Sequence, residues 1–299
     1  MLGKKFWAHA AILGANIIYG LNYSIAKDVM PEFIQPFGFI FCRVSGALVL
    51  FWMFSLFAVK EKVMGKDLAL LAVCGAFGVA ANQLMFFYGL NLTSPINAAI
   101  ILTCNPILVL IISAVVIKER ITSRKIVGIT LGLTGAVGLI LFKGTSVLSS
   151  EGFIGDLFVF LNATSYAIYL VLVKPLMQKY KPMTVIKWVF LFGFLYVLPF
   201  GWTEFHQIEW ANFTTNIWWA VAFVVVGTTF LAYLFNIFGL KELSPSVVSI
   251  YIYSQPLIAS IMAIALQKDE LSYEKIIAAV FIFSGVFLVS TKKSIKKIA

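Results

Sequence analysis

The chain has 299 residues, of which 61% are hydrophobic and only 12% charged, with a formal net charge of +10. A soluble domain carries about 25% charged residues, so composition leaves no room for a separate soluble domain. At about 20 apolar residues per crossing, the length holds roughly ten membrane spans. The basic excess lies in the short connections between apolar runs, which points to membrane orientation and excludes a nucleic-acid surface. Cys42, Cys74 and Cys104 sit inside apolar runs without zinc or redox spacing and read as small buried hydrophobes.

Apolar runs broken by charge or by Pro, Asn and Gly predict helices over 8–27, 37–58, 67–90, 95–117 and 124–142, then 153–174, 183–203, 216–239, 245–267 and 274–291. The expected fold class is an all-α integral membrane protein with ten transmembrane helices. Lys4-Lys5 and the first span resemble a signal peptide, but the span has a counterpart in the second half and so belongs to the fold. Its Asn16, Tyr19 and Tyr23 share one helical face, with Asn22 beside them. The second span carries Arg43 about two turns from its start. An arginine at a helix centre costs about 2.5–3.5 kcal/mol on insertion scales, so Arg43 must face protein or snorkel to the surface. It can hold a substrate carboxylate bidentately or neutralise an acidic residue such as Glu32 or Asp156.

Asn82, Gln83 and Tyr88 mark the third span. The fourth is predicted to start at Ser94-Pro95 and to kink at Pro106, 11 residues later, or about 16 Å along the axis. Proline there frees the carbonyl of Leu102 beside Asn105 near the membrane centre. Such a carbonyl has to face protein or a wet cavity. Glu119 follows Lys118 at the end of the span, as a helix-end ion pair or as a gate. Gly128 and Gly132 of the fifth span form a small-xxx-small motif, which favours sealing helices within the subunit over making a homodimer.

Asn162, Tyr166 and Tyr169 share a face of the sixth span. The seventh, with Lys187 and Pro199, is the least regular. Thr228, Thr229, Tyr233 and Asn236 lie in the eighth, where 3.6-residue spacing groups Thr229, Tyr233 and Asn236. The ninth begins at Ser244-Pro245, carries Ser249, Tyr251, Tyr253, Ser254 and Gln255, and kinks at Pro256, freeing the carbonyl of Ile252.

Gly89 to Lys143 recur without a gap at Gly239 to Lys293, 150 positions on. Ser94-Pro95 falls on Ser244-Pro245, Pro106 on Pro256, Lys118-Glu119 on Lys268-Asp269 and Gly135 on Gly285. A weaker match at offset 147 puts Tyr19 on Tyr166, Lys27 on Lys174 and His9 on Asp156. The repeats are therefore 1–147 and 148–299. Five spans each, an odd number, make the second copy upside down relative to the first. Eighteen basic residues fall on one side and four on the other, which puts both termini in the cytoplasm.

From these residues the expected substrate-binding set is Arg43, Tyr19, Asn22, Asn82, Gln83, Asn105, Tyr166, Tyr169, Tyr233, Asn236, Tyr253 and Gln255, with hinges at Pro106 and Pro256. Amides and phenols with few charges suit an uncharged, zwitterionic or weakly anionic solute. Interhelical hydrogen bonding, worth about 0.6 kcal/mol per contact, accounts for the same residues without a ligand. No carboxylate sits mid-span to relay protons. His9 and His206 stand apart, so neither metal nor cofactor is expected. A carrier of a small polar metabolite leads. A scaffold or receptor would need no cavity, and an intramembrane enzyme would need a nucleophile, metal set or acid–base pair.

Two halves with Ser-Pro, a mid-helix Pro, an acidic residue after the fourth span and a glycine-bearing fifth span, together with Tyr19-Gly20, Lys27, and Arg43 after Pro36, resemble the EamA family of the drug/metabolite transporter superfamily. The resemblance implies a five-plus-five inverted repeat around a cavity lined by helices 1, 3, 4, 6, 8 and 9. It also implies movement of small metabolites, often amino acids, across the bacterial inner membrane, with export expected here. Two departures stand out: the usual Gly-Glu is Lys118-Glu119, and the second half lacks an arginine equivalent to Arg43.

Overall fold

In lipid, main-chain polar groups must be satisfied within the segment that carries them, and long apolar runs with few Gly or Pro meet that demand as helices. The computed structural model describes residues 2–27, 29–30, 32–57, 61–92, 98, 101–141, 153–265 and 273–290, and no strand occurs among them. In chain order come α1 (Leu2–Lys27), α2 (Pro36–Ser55) and α3. The last runs Gly65–Gly75, a π segment Ala76–Ala81, then Asn82–Leu92. After α4 (Asn105–Val116) and α5 (Ser123–Leu141) follow α6 (Phe153–Lys179) and α7 (Pro182–His206). A second π segment, Phe223–Leu231, lies inside α8 between Thr215–Ala222 and Ala232–Glu242. α9 is Pro245–Ile250, a 3-10 turn Tyr251–Tyr253, and Ser254–Ala265; α10 is Tyr273–Ser290.

Pro36–Ser55, Gly65–Leu90, Phe153–Lys179, Pro182–His206 and Thr215–Glu242 are long and apolar enough to cross a membrane. Their outward surfaces carry large exposed hydrophobics such as Val49, Leu195, Trp219 and Val226, while Asn16, Arg43, Gln83, Asn105, Asn162, Thr228, Thr229 and Asn236 are buried. Polar groups inside and apolar groups outside is the arrangement lipid selects.

The helices pack as α1 on α8, α2 on α7, α3 on α6 and α5 on α10. Small residues allow the approach. A Cβ on Gly128 would lie 2.8 Å from the carbonyl oxygen of Gly285, and one on Gly135 would lie 2.8 Å from that of Ala278. The Gly128/Gly132 motif is therefore used within the chain, against α10 and Tyr253.

The predicted prolines act differently from the simple kinks expected. In the fourth span the helix breaks at a turn over Thr103-Cys104 and restarts at Asn105, with Pro106 in the new first turn. The ninth span tightens to a 3-10 turn over Tyr251–Tyr253, just ahead of Pro256. A proline lacks its N–H and tolerates the first turn of a helix better than the interior, so the regular helix gives way two to five residues upstream. The expected helix start at Ser94-Pro95 and the pair Lys268-Asp269 lie outside the described residues.

Candidate substrate cavity

A cavity of about 150 Å³ lies between α1, α3, α4, α6, α8 and α9, with Arg43 of α2 at its edge. Ten of the twelve expected residues border it: Tyr19, Asn22, Arg43, Asn82, Gln83, Asn105, Tyr166, Tyr233, Asn236 and Gln255. Asn16, Phe86, Phe87, Leu102, Asn162, Thr228, Val248 and Ile252 complete the lining. Leu102 and Ile252 are the residues four before the two prolines, so the weakened stretches of main chain meet at the polar space.

Side-chain pairs tie α1 to the second half around this space. Gln255 Nε2 donates to Asn16 Oδ1 (2.9 Å), Asn236 Nδ2 to Tyr19 OH (3.1 Å) and Thr228 Oγ1 to Asn22 Oδ1 (3.0 Å). The π segments matter here, because i→i+5 pairing leaves carbonyls for side chains to reach. In α3, Tyr233 OH donates to Gly78 O (3.1 Å) and Ser165 Oγ to Phe77 O (2.7 Å). Asn105 Nδ2 donates to Ala163 O (2.9 Å) and Asn162 Nδ2 to Asn82 O. Two acceptors bordering this network, Gln83 Oε1 and Asn105 Oδ1, are buried without a hydrogen-bond partner.

Arg43 is 5% exposed. Its Nε donates to Thr229 Oγ1 at 3.2 Å, and its guanidinium carbon lies 5.2 Å from the Phe87 ring centre and 5.9 Å from that of Phe39. Among the described residues it forms no ion pair, so neither Glu32 nor Asp156 serves as its counter-ion; the ion pairs there are Lys125–Glu119 and Lys179–Asp67. Among the described residues, this buried cation is held by one hydroxyl and two rings, without a carboxylate partner to offset its desolvation.

Tyr169 and Tyr253 lie outside the lining. Tyr169 fills the space over Gly78, and Tyr253, turned by the 3-10 segment, fills the space over Gly132. Thr228, not Thr229, stands with Tyr233 and Asn236 at the cavity. The π segment pairs residue i with i+5, so the face containing Tyr233 extends back to Thr228, while 3.6-residue spacing selects Thr229. Phe86 and Phe87 carry a weak signal in the sequence: they follow Gln83 by three and four residues on α3.

One end of the bundle is clasped by charge. Glu119, in the α4–α5 connection, accepts from Lys125 Nζ (2.8 Å) and Ser246 Oγ (3.0 Å) in the first turn of α9. Burial pushes its carboxyl up, but hydrogen bonds from Lys125, Ser244 and Ser246 and the Lys125 charge more than reverse this, leaving it below the ordinary value. Lys174 Nζ donates to the carbonyls of Leu240, Lys241 and Leu243 at the end of α8. His9 Nδ1 and Tyr251 OH share a bond of 2.8 Å between α1 and α9. Lys118, just before Glu119, has φ of 53°, a left-handed position that disfavours side chains with a Cβ. Lys118→Gly should therefore raise stability by about 1 kcal/mol. The check is the melting midpoint in detergent, where an unchanged or lower value would contradict it.

Among the described residues, no group of three His, Cys, Asp or Glu stands together as a metal site. The model of the EamA-like transporter family matches residues 6–141 and again residues 153–291. The chain belongs to the EamA-like transporter family. Two members from Bacillus subtilis (strain 168) are similar along nearly the whole length. The uncharacterized transporter YyaM is 26% identical over 96% of this chain and 94% of its own, and the uncharacterized transporter YetK is 24% identical over 98% and 89%. A probable terminal-alkyne amino-acid exporter of Streptantibioticus cattleyicolor is 25% identical over 45% of this chain and 44% of its own. A crystal structure of an 18% identical protein superposes with a TM-score of 0.77 over 94% of this chain and 95% of that one, which speaks for the fold alone. The EamA relatives are named as transporters, not enzymes.

Proposed function

We propose that the chain is an alternating-access carrier that exports a small carboxylate-bearing polar solute, an amino acid or close relative, across a bacterial inner membrane. The observation that carries this reading is Arg43: a buried cation, without a carboxylate among the described residues, at the edge of a cavity of amides and phenols. Its guanidinium fork suits a carboxylate. The amides of Asn82, Gln83 and Asn105 on the same lining suit an ammonium or hydroxyl elsewhere on the same solute.

The architecture in this reading is ten transmembrane helices as a five-plus-five inverted repeat. Its support is a packing pattern that maps onto itself when α1–α5 exchange with α6–α10. The pairs α2 with α7 and α5 with α10 are self-related, and α1 with α8 answers α6 with α3. The double match of the family model agrees with it. Both termini are cytoplasmic on the basic-residue bias, and the broken stretches before Pro106 and Pro256 are the hinges. The export direction leans on the printed name of the Streptantibioticus cattleyicolor relative. A scaffold would have no use for a buried charge that borders open space without a carboxylate among the described residues. The partners are the solute and the bilayer, with no cofactor or nucleic acid and no need for a homodimer.

The experiment is a thermal-shift panel on purified protein in nanodiscs, using amino acids, the matching amides and the matching 2-hydroxy acids. Carboxylates should raise the melting midpoint, and the amides should not. Equal shifts for acids and amides, or none for any carboxylate, would remove the reading.

A further inference from the structure

We infer that Thr229 is the positioning residue for substrate recognition, holding the Arg43 guanidinium so that its two terminal amino groups present a fork to the cavity. This rests on the proposal that Arg43 receives the carboxylate.

Thr229 is 0% exposed and does not border the cavity, so it does not touch the solute. Its hydroxyl stands 2.7 Å from Val224 O and 3.2 Å from Arg43 Nε. The chemistry fixes the direction of both bonds. A carbonyl only accepts and a guanidinium N–H only donates, so the hydroxyl donates to Val224 and accepts from Arg43. Engaging Nε leaves the two terminal amino groups for a ligand. Phe39 and Phe87 confine the guanidinium from other directions. A bidentate carboxylate contact depends on the plane of the fork, and here that plane is set by one hydroxyl.

The bridge depends on the π segment Phe223–Leu231, which places Thr229 five residues beyond the carbonyl it binds. The residue 150 positions earlier, in the π segment of α3, is Val79. Val79 lies against α7, where a Cβ on Gly193 would come 2.6 Å from it. The fold thus accommodates valine at the corresponding place, and the Thr229 hydroxyl answers to Arg43.

The test uses acetate as a bare carboxylate probe and phenylglyoxal as an arginine reagent, with labelling at Arg43 read by peptide mass spectrometry on the full chain in nanodiscs. Arg120 and Arg124, both exposed, serve as internal controls. Acetate should protect Arg43 in the wild type and in Thr229→Ser. Thr229→Val should need about ten times more acetate for half-protection, the scale of one lost hydrogen bond to a charged group. Thr229→Ala, which removes the hydroxyl without crowding, should behave the same way and covers the case where valine prevents folding. Equal protection of the hydroxyl-free variants overturns the inference while leaving the carboxylate reading intact. So does a Thr229→Ser protein as weak as Thr229→Ala. Absence of acetate protection in every protein, wild type included, overturns the carboxylate reading and this inference with it.

Discussion

Arg43→Met will lower carboxylate flux in proteoliposomes by at least about 30-fold, since truncating one partner of a buried charged contact costs roughly 2–5 kcal/mol. The same substitution should leave the melting midpoint of the ligand-free protein unchanged or higher. In the absence of solute, Arg43 is a desolvated cation whose hydrogen-bond partner is a neutral hydroxyl and whose neighbours are the Phe39 and Phe87 rings. Removing such a charge relieves desolvation, and methionine fills a similar apolar volume. A residue kept solely for packing would give the opposite pair of results: lost stability and retained transport. Arg43→Lys separates charge from shape, because it keeps the cation but not the fork. It should retain weak flux with poor discrimination between carboxylates. Wild-type flux in Arg43→Met, for every solute the protein accepts, would remove Arg43 from the site.

Why Arg43 was legible in sequence, and Thr229 was not, follows from what each signal depends on. An arginine inside an apolar run is conspicuous because insertion energetics forbid it a lipid-facing place. Hydropathy located the helices for the same reason. The 150-residue offset paired Pro106 with Pro256, and the structure departs from regular α-helix ahead of each. Polar stripes at 3.6-residue spacing also led to Tyr19 and Tyr166, both on unbroken helix. That spacing fails once a π segment adds a residue to the turn. Thr228 and Thr229 exchange roles, and nothing local in FVVVGTTFL announces the change. Tyr169 and Tyr253 lie off the cavity lining for a different reason. A phenol on the right face still leaves the cavity when a glycine on a neighbouring helix offers it space, as Gly78 and Gly132 do. Glycine pockets are properties of pairs of helices, which one helix's periodicity cannot encode.

Glu119→Ala will loosen the clasped end of the bundle, at a cost of about 1–3 kcal/mol in stability. The carboxylate does two things at once. It pairs with Lys125 and accepts from Ser246, and it places negative charge at the start of α9, where free amides make the helix end positive. Ser244, the residue before that helix, supplies no side-chain cap to its amides. Because the folded carboxyl lies below its ordinary value of 4.5, its contribution is complete above that pH and fades as pH falls through the depressed value. The wild type should therefore lose more stability than Glu119→Gln on acidification below pH 4.5, and nothing of this difference should appear between pH 6 and 8. The comparison cancels the contributions of the protein's other carboxylates, which both proteins share. In a carrier that alternates, the clasp must part in each cycle, so weakening it should also expose the α8–α9 junction. A cysteine placed at buried Leu243 should react with a membrane-impermeant maleimide about ten times faster when combined with Glu119→Ala, if the clasp contributes one charged hydrogen bond's worth of closure. An unchanged rate, with the stability loss still present, would make Glu119 a helix cap and nothing more, and would place the moving contact elsewhere among α1, α8 and α9.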